Sequence, residues 1–192
     1  MGHPDPVLLT PRLELRLPGP EAAPRVVRYF RENEEHLAPW SPPTPPGFYS
    51  DGFWRARLRG ARDELRAGSA LRLFLFPRGE PEGPVLGTCN FTQIFRGPFQ
   101  ACYLGYGLAR RSEGLGLMHE ALQAALTHVF QALRLHRVMA NHVPTNERSA
   151  RLLRRLGFVV EGYARDYLFV GGAWRDHVLT ALINPDPQPP DP

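Results

Sequence analysis

Residues 103–133 restrict the fold of this chain more than any other stretch. Tyr103-Leu-Gly-Tyr-Gly-Leu108 ends a strand-like run that starts near Phe99, and Arg111-Ser-Glu-Gly114-Leu-Gly116 then turns the chain into a helix. From Gly114 to Leu133 the residues Met118, Leu122, Ala125, Leu126, Val129 and Leu133 recur at spacings of three and four, which places them on one helical face. A helix with a single apolar stripe must bury it against another element, so a strand that feeds such a helix implies a layered α/β domain.

The remaining patterns agree. Leu13, Leu15 and Leu17 alternate with Glu14 and Arg16, predicting a first strand over Leu8 to Leu17. Glu21 to Glu32 and Tyr49 to Ala67 have helical spacing, the second with Phe53, Leu58 and Leu65 as its apolar face. Leu71 to Phe76 and Val85 to Phe95 read as strands joined by the Gly- and Pro-rich stretch Pro77 to Pro84, and Phe99 to Leu108 as the next strand. After the long helix come a short strand, Arg137 to Val143, and a helix, Asn146 to Leu156, closed by Gly157. A last hairpin, Val159 to Val170 and Trp174 to Ile183, turns at Gly171 and Gly172. The predicted order is βααβββαβαββ. A length of 192 residues suits a single domain, here taken as 8–184, with a frayed start at 1–7 and a Pro-rich tail at 185–192.

Composition removes several classes of function. Cys89 and Cys102 are the only cysteines and no secretory leader opens the chain, so a reduced cytoplasm is expected and a disulfide framework is not. No apolar run approaches the roughly 18 residues that span a bilayer. The 23 basic residues are all arginine, which excludes a Walker loop, since that loop needs a lysine on the phosphates. A dinucleotide fingerprint would require a third glycine in a βαβ unit. The net charge of +4 suits anionic ligands, while basic residues interspersed with acids and without a base-stacking motif argue against direct nucleic-acid binding. His119 and His128 are nine apart on the long helix, so no metal site is expected.

A helix N-terminus exposes unpaired N–H groups and about half a positive charge, and it attracts phosphate without any particular side chain. The turn at Arg111 to Gly116 is therefore either a phosphate cradle, flanked by Arg110 and Arg111, or a plain strand-to-helix turn whose glycines serve packing. In Asn146-Glu-Arg-Ser149 the two polar side chains share a helical face, which fits either a common ligand or a helix cap.

Arg111-x-x-Gly114-x-Gly116 is similar to the signature of the Gcn5-related N-acetyltransferases (GNAT). The chain resembles in particular their RimJ/RimL-type branch, which acetylates the N-terminal alanine of ribosomal proteins. The likeness lies in Thr10-Pro-Arg-Leu-Glu-Leu-Arg16, His36-Leu-Ala-Pro-Trp40, Tyr103-Leu-Gly-Tyr106, Gly114-Leu-Gly-Leu-Met118 and Glu120-Ala-Leu122. It continues through His136-Arg-Val-Met-Ala-Asn141, Pro144-Thr-Asn-Glu-Arg-Ser149, Leu156-Gly-Phe158, Glu161-Gly-Tyr-Ala164, Asp166-Tyr167 and Trp174-Arg-Asp-His-Val-Leu-Thr-Ala181. This resemblance implies a central mixed, mostly antiparallel sheet with helices on both faces. It implies acetyl-CoA as co-substrate, its pantetheine arm paired with the backbone of Tyr106, Gly107 and Leu108. The diphosphate would then lie on the loop of Arg110, Arg111, Ser112, Glu113, Gly114, Leu115, Gly116 and Leu117, with Asn146 on the pantetheine or acetyl region and Ser149 at the sulfur.

Acetyl transfer also needs a neutral amine and a route for its proton. The strand before the loop, Ala101 to Leu108, lacks the carboxylate that many members of the superfamily place there. Glu161 is the first candidate base, ahead of Asp166 and His142, with a water relay as the alternative. Tyr163, Tyr167, Phe169 and Trp174 wall an acceptor pocket or else belong to the core. The expected acceptor is the N-terminal α-amine of a ribosomal or other protein. A small amine such as an aminoglycoside or polyamine is the alternative, and a non-catalytic RNA-binding module is the third. Monomer and homodimer both remain open.

Overall fold

The computed structural model describes residues 5–187 and 189. The expected first strand is in fact two, β1 (Val7–Leu9) and β2 (Leu13–Arg16), paired antiparallel with Leu8 opposite Leu15. Pro11, which lacks an N–H, sits in the turn between them, and Thr10 closes it: its N–H donates to the Leu13 carbonyl at 2.9 Å and its hydroxyl accepts from the Leu13 N–H at 2.9 Å. The expected frayed segment 1–7 lies outside the described residues up to residue 4. Its end is structured, since the Asp5 carboxylate accepts from Arg62 at 2.8 Å and Val7 opens β1. Most of the expected tail, at 188 and 190–192, also lies outside the described residues.

A 3-10 turn, Pro20–Ala22, leads into α1 (Ala23–Glu32), and a short α2 (Glu34–Leu37) follows. The next helix, α3 (Asp51–Arg66), is capped by Ser50, whose Oγ accepts from the Phe53 N–H at 3.2 Å. Its buried face is Trp54, Leu58 and Ala61, rotated from the predicted one, because Trp54 stacks on Phe30 at 4.8 Å and meets Phe48 and Phe74 edge-on. Phe53 and Leu65 flank that face, half-buried.

The rest of the sheet comprises β3 (Leu71–Pro77), β4 (Gly87–Phe95), β5 (Ala101–Leu108), β6 (Arg137–Met139), β7 (Val159–Val170) and β8 (Ala173–Ile183), with α4 (Leu117–Gln131) and α5 (Glu147–Arg155) between β5, β6 and β7. The eight strands lie in the order β1-β2-β3-β4-β5-β6-β8-β7. Every neighbouring pair is antiparallel except β5 and β6. The mixed, mostly antiparallel sheet is as expected.

Strand alternation divides the core in two. Leu71, Leu73 and Leu75 of β3 join Leu13, Leu15, Cys89 and Phe91 under Met118, Leu122 and Leu126 of α4 and Leu153 of α5. Phe74 and Phe76, one residue out of phase, meet Val26 and Tyr29 of α1 and Leu58 of α3 on the opposite face. Helices thus cover both faces. No helix among the described residues is long and apolar enough to cross a membrane.

Candidate active site

The long helix begins where β5 ends. After Ala109, a 3-10 turn (Arg110–Ser112) and Glu113 lead to Gly114 and Gly116, both at φ +76°, and α4 starts at Leu117. Glycine is favoured at both positions by this left-handed backbone, which L side chains rarely adopt; at Gly114 a Cβ would meet no protein atom within 4 Å. The turn satisfies the Ser112 amide with the Ala109 carbonyl (2.8 Å) and the Glu113 amide with the Arg110 carbonyl (3.2 Å). Amides 114–119 find no acceptor among the described residues. Six backbone donors at the front of a 15-residue helix constitute an anion cradle.

Long-range contacts fix this cradle. The Glu120 carboxylate, in the first turn of α4, accepts from the Thr10 hydroxyl (2.6 Å), the Arg12 N–H (2.9 Å) and Arg12 Nε (2.7 Å), while Arg12 Nη1 donates to the Leu115 carbonyl at 2.9 Å. Burial works to raise the Glu120 pKa, but these hydrogen bonds and the guanidinium outweigh it and hold the carboxyl below its ordinary value. On the other side the Arg110 N–H donates to Asn33 Oδ1 (2.9 Å), and Asn33 Nδ2 to the Tyr29 carbonyl (2.8 Å). A cavity of about 350 Å³ lined by Glu32, Asn33, Arg110 and Arg111 opens there. Glu113 bridges His36, at 3.3 Å, and the Arg148 guanidinium of α5. Asn33 is new to the site, and Arg12 and Glu120 figure in the sequence only within stretches of the resemblance, without a role; no local spacing could have assigned one, since their partners lie 77 and 108 residues away.

Beside the cradle the sheet forks. β5 and β6 pair only through Ala101–Arg137, Cys102–Val138 and Tyr103–Met139. From residue 140 the chain stays with β8: the Ala140 N–H donates to the Thr180 carbonyl (3.0 Å), and His142 and Val178 exchange backbone hydrogen bonds. This departure ends β6 at Met139, earlier than predicted. It leaves the β5 edge over residues 104–108, including Tyr106, Gly107 and Leu108, without a strand partner on that side.

At the fork the Tyr106 phenol and the Ser149 hydroxyl hydrogen-bond at 2.7 Å. Burial pushes the phenol up to about 12, the Ser149 hydrogen bond opposing and Cys89 adding to the rise, so it stays protonated at neutral pH. Asn146 caps α5, its Oδ1 accepting from the Ser149 N–H at 3.1 Å. The cap reading is therefore realised, and the Nδ2 end of Asn146 is the part that faces no recorded partner among the described residues.

Glu161 is not brought to this cluster. Its carboxylate is ion-paired with Arg137, which sits opposite Ala101, five residues down β5 from Tyr106 and roughly 17 Å away at about 3.3 Å per residue. Held on that guanidinium, the Glu161 carboxylate is not among the groups gathered at the fork. His142 is buried with Nδ1 on the Val143 carbonyl (3.0 Å), and Asp166 lies in a β7 bulge. Of the four aromatic residues on the last hairpin, Tyr163 and Trp174 are more than half exposed and Tyr167 is half-buried, so they are not core.

A sheet forked beside a row of unpartnered helix-start amides, with a phenol and a hydroxyl at the crotch, has the chemistry to hold a phosphorylated carrier and to work at its far end. The chain belongs to the GNAT acetyltransferases, acetyl-CoA-dependent enzymes that acetylate amines: the profile of the family described as "Acetyltransferase (GNAT) domain" matches residues 12–159. Among curated proteins it is 45% identical over 179 residues to the [Ribosomal protein uS5]-alanine N-acetyltransferase of Escherichia coli K12, covering 93% of this chain and 91% of that one. Among solved structures it is similar to the ribosomal-protein-S5-alanine acetyltransferase of Vibrio fischeri, with a TM-score of 0.90, 36% identity, and coverage of 96% of this chain and 100% of that one. It also resembles Mycobacterium smegmatis RimJ in complex with CoA-disulfide, with a TM-score of 0.84, 30% identity, and coverage of 93% and 86%.

Proposed function

We propose that this enzyme transfers the acetyl group of acetyl-CoA to the N-terminal α-amine of a ribosomal protein. The observation that carries the reading is the juxtaposition of the bare amides 114–119 with the Tyr106–Ser149 pair at the fork, in a chain 45% identical to an alanine N-acetyltransferase of a ribosomal protein.

In this reading the amides of the loop and the start of α4 hold the diphosphate, Arg110 and Arg111 add charge, and Ser112, Glu113 and Leu115 shape the loop. The unpaired edge at Tyr106, Gly107 and Leu108 receives the pantetheine arm through backbone hydrogen bonds, and Asn146 Nδ2 donates to its amide or acetyl oxygen. The bound thioester supplies an activated acetyl carbon. Attack by the neutral amine makes a tetrahedral oxyanion, whose collapse releases a thiolate. Ser149 donates its hydroxyl proton to that sulfur, the Tyr106 phenol, protonated at neutral pH, replaces it, and solvent returns a proton to Tyr106 as it carries off the one shed by the amine, so both hydroxyls end the turnover as they began. The same reading takes residues 8–184 as one acetyltransferase domain working in the cytoplasm, as monomer or homodimer.

A mass-spectrometric acceptor screen tests the proposal. Purified protein with acetyl-CoA should gain activity on peptides with a free N-terminal alanine and leave polyamines and aminoglycosides unmodified. Modification of the small amines alone would sink it.

A further inference from the structure

The two faces of the sheet at the fork are chemically different. Tyr106 and Ser149 occupy the α4 face. Tyr103, the last β5 residue paired with β6, is one step out of phase and shares a row with Met139 and Ala181, hence the opposite face with His177. Gly105 continues that face, where an added Cβ would meet nothing within 4 Å, so the fork is open there.

Tyr167 reaches this face because β7 is irregular. Ala164 pairs with His177 and Leu168 with Arg175, so residues 165–167 all stand opposite Asp176 alone. Unbroken alternation from Tyr163 would direct Tyr167 to the face of Tyr163 and Asp176. Instead its ring lies 5.6 Å from that of His177, its hydroxyl accepts from Asn141 Nδ2 at 3.4 Å, and the Tyr103 phenol is near enough to act on its pKa. The turn is made at Asp166, whose φ of +45° is unusual for a residue with a side chain. Asp176 holds it there: Oδ1 accepts from the Asp166 N–H at 2.9 Å and Oδ2 from the Tyr163 hydroxyl at 2.6 Å. A strained bulge clamped by a carboxylate and aiming one phenol at a fork is a device for placing that phenol.

We propose that Tyr167 receives and positions the acceptor amine, entering from the face opposite Ser149, with Tyr103 and Asn141 as its partners and Asp176 and Tyr163 as positioning residues behind it. The proposal rests on the N-terminal acetyltransferase reading and deepens it by assigning the acceptor side. Two reactants that meet at one carbon need separate approaches, and the fork gives one to each face. The phenol oxygen of Tyr167 and Oδ1 of Asn141 accept hydrogen bonds from the amine N–H groups, while the phenol protons are available to the first peptide carbonyl. The Tyr167 pKa lies above its ordinary value, through burial first and then the neighbouring Tyr103 phenol, so this group orients a neutral amine and does not deprotonate it.

The test is a split of kinetic constants on the full chain, using an alanine-terminated peptide and acetyl-CoA. Tyr167→Phe should raise the peptide KM about tenfold, leaving the acetyl-CoA KM and the calorimetric affinity for coenzyme A within about twofold. Asp176→Ala should reproduce that acceptor-side loss although Asp176 touches no reactant, and Asp176→Asn should recover part of it, since one amide oxygen still accepts. Unchanged peptide kinetics in Tyr167→Phe and Asp176→Ala would overturn the assignment, as would an equal loss for both substrates, which marks a merely structural role. A wild-type protein that binds coenzyme A but acetylates no peptide amine would overturn the underlying reading, and the assignment with it.

Discussion

The Tyr106 phenol and the Ser149 hydroxyl come from positions 43 residues apart, and their 2.7 Å hydrogen bond makes a simple kinetic forecast. Ser149→Ala should lower kcat by about 10- to 100-fold with little change in the acetyl-CoA KM, and Tyr106→Phe should follow it at the lower end of that range. Steady-state kinetics checks both; a loss confined to KM would remove the pair from the chemistry. A second forecast concerns Glu120. Its folded pKa lies below the ordinary 4.5, so its stabilisation is complete above about pH 4.5 and is lost as pH falls through the lower folded value. Glu120→Gln should lower stability at pH 7 by about 1 to 2 kcal/mol and leave the variant less acid-sensitive than the wild type between pH 5 and 3 in urea melts, both effects being on the order expected for charge-assisted hydrogen bonds. At this scale the sequence was informative where chemistry is local. Asn146 and Ser149 are three apart, so a shared helical face could be read from spacing alone. Tyr106 enters the sequence reading only through its backbone, and Glu161 ranks first there only because it lies in the matching Glu161-Gly-Tyr stretch of the resemblance, since nothing in a linear string reports that Arg137 lies across the sheet from it.

Among the elements, the loop between β5 and α4 was the most legible, since two glycines before an apolar stripe limit what the chain can do. Gly116→Ala would force an alanine to φ +76°, and we expect a loss of about 1 kcal/mol in thermal melts with a several-fold rise in the acetyl-CoA KM. Wild-type KM in a fully folded Gly116→Ala protein would show that the loop backbone is not what holds the diphosphate. The hairpin tip makes a contact that spacing could not announce: the Gly171 N–H donates to the Ser41 carbonyl at 3.0 Å, and a Cβ on Gly171 would lie 2.7 Å from the Pro39 oxygen. The single predicted strand over Leu8 to Leu17 failed because alternation in β2 runs on into β1 across Pro11, and the predicted face of α3 was rotated by the aromatic cluster around Trp54. Both errors come from tertiary partners overriding a local period.

For the whole molecule, the class of layered α/β fold followed from the pattern of elements and the mixed, mostly antiparallel character of the sheet from the resemblance, while the spatial order of the strands was not legible in the sequence. Order depends on which elements meet after long excursions, as when β6 inserts between β5 and β8. The core that α4 shares with β2–β5 should dominate stability: Leu122, fully buried, should cost about 2 to 5 kcal/mol when replaced by alanine, enough to lower Tm by several degrees in calorimetry. The brief parallel junction has a thermodynamic corollary. With β6 only three residues long, the sheet consists of two antiparallel blocks zipped together by a very short ladder, and amide protons along that zipper should exchange with solvent sooner than those in β3 or β4. A substrate arm lying in the gap would add rungs to the ladder, so saturating the enzyme should slow deuterium uptake on both sides of the junction at once, welding the blocks for the duration of a turnover.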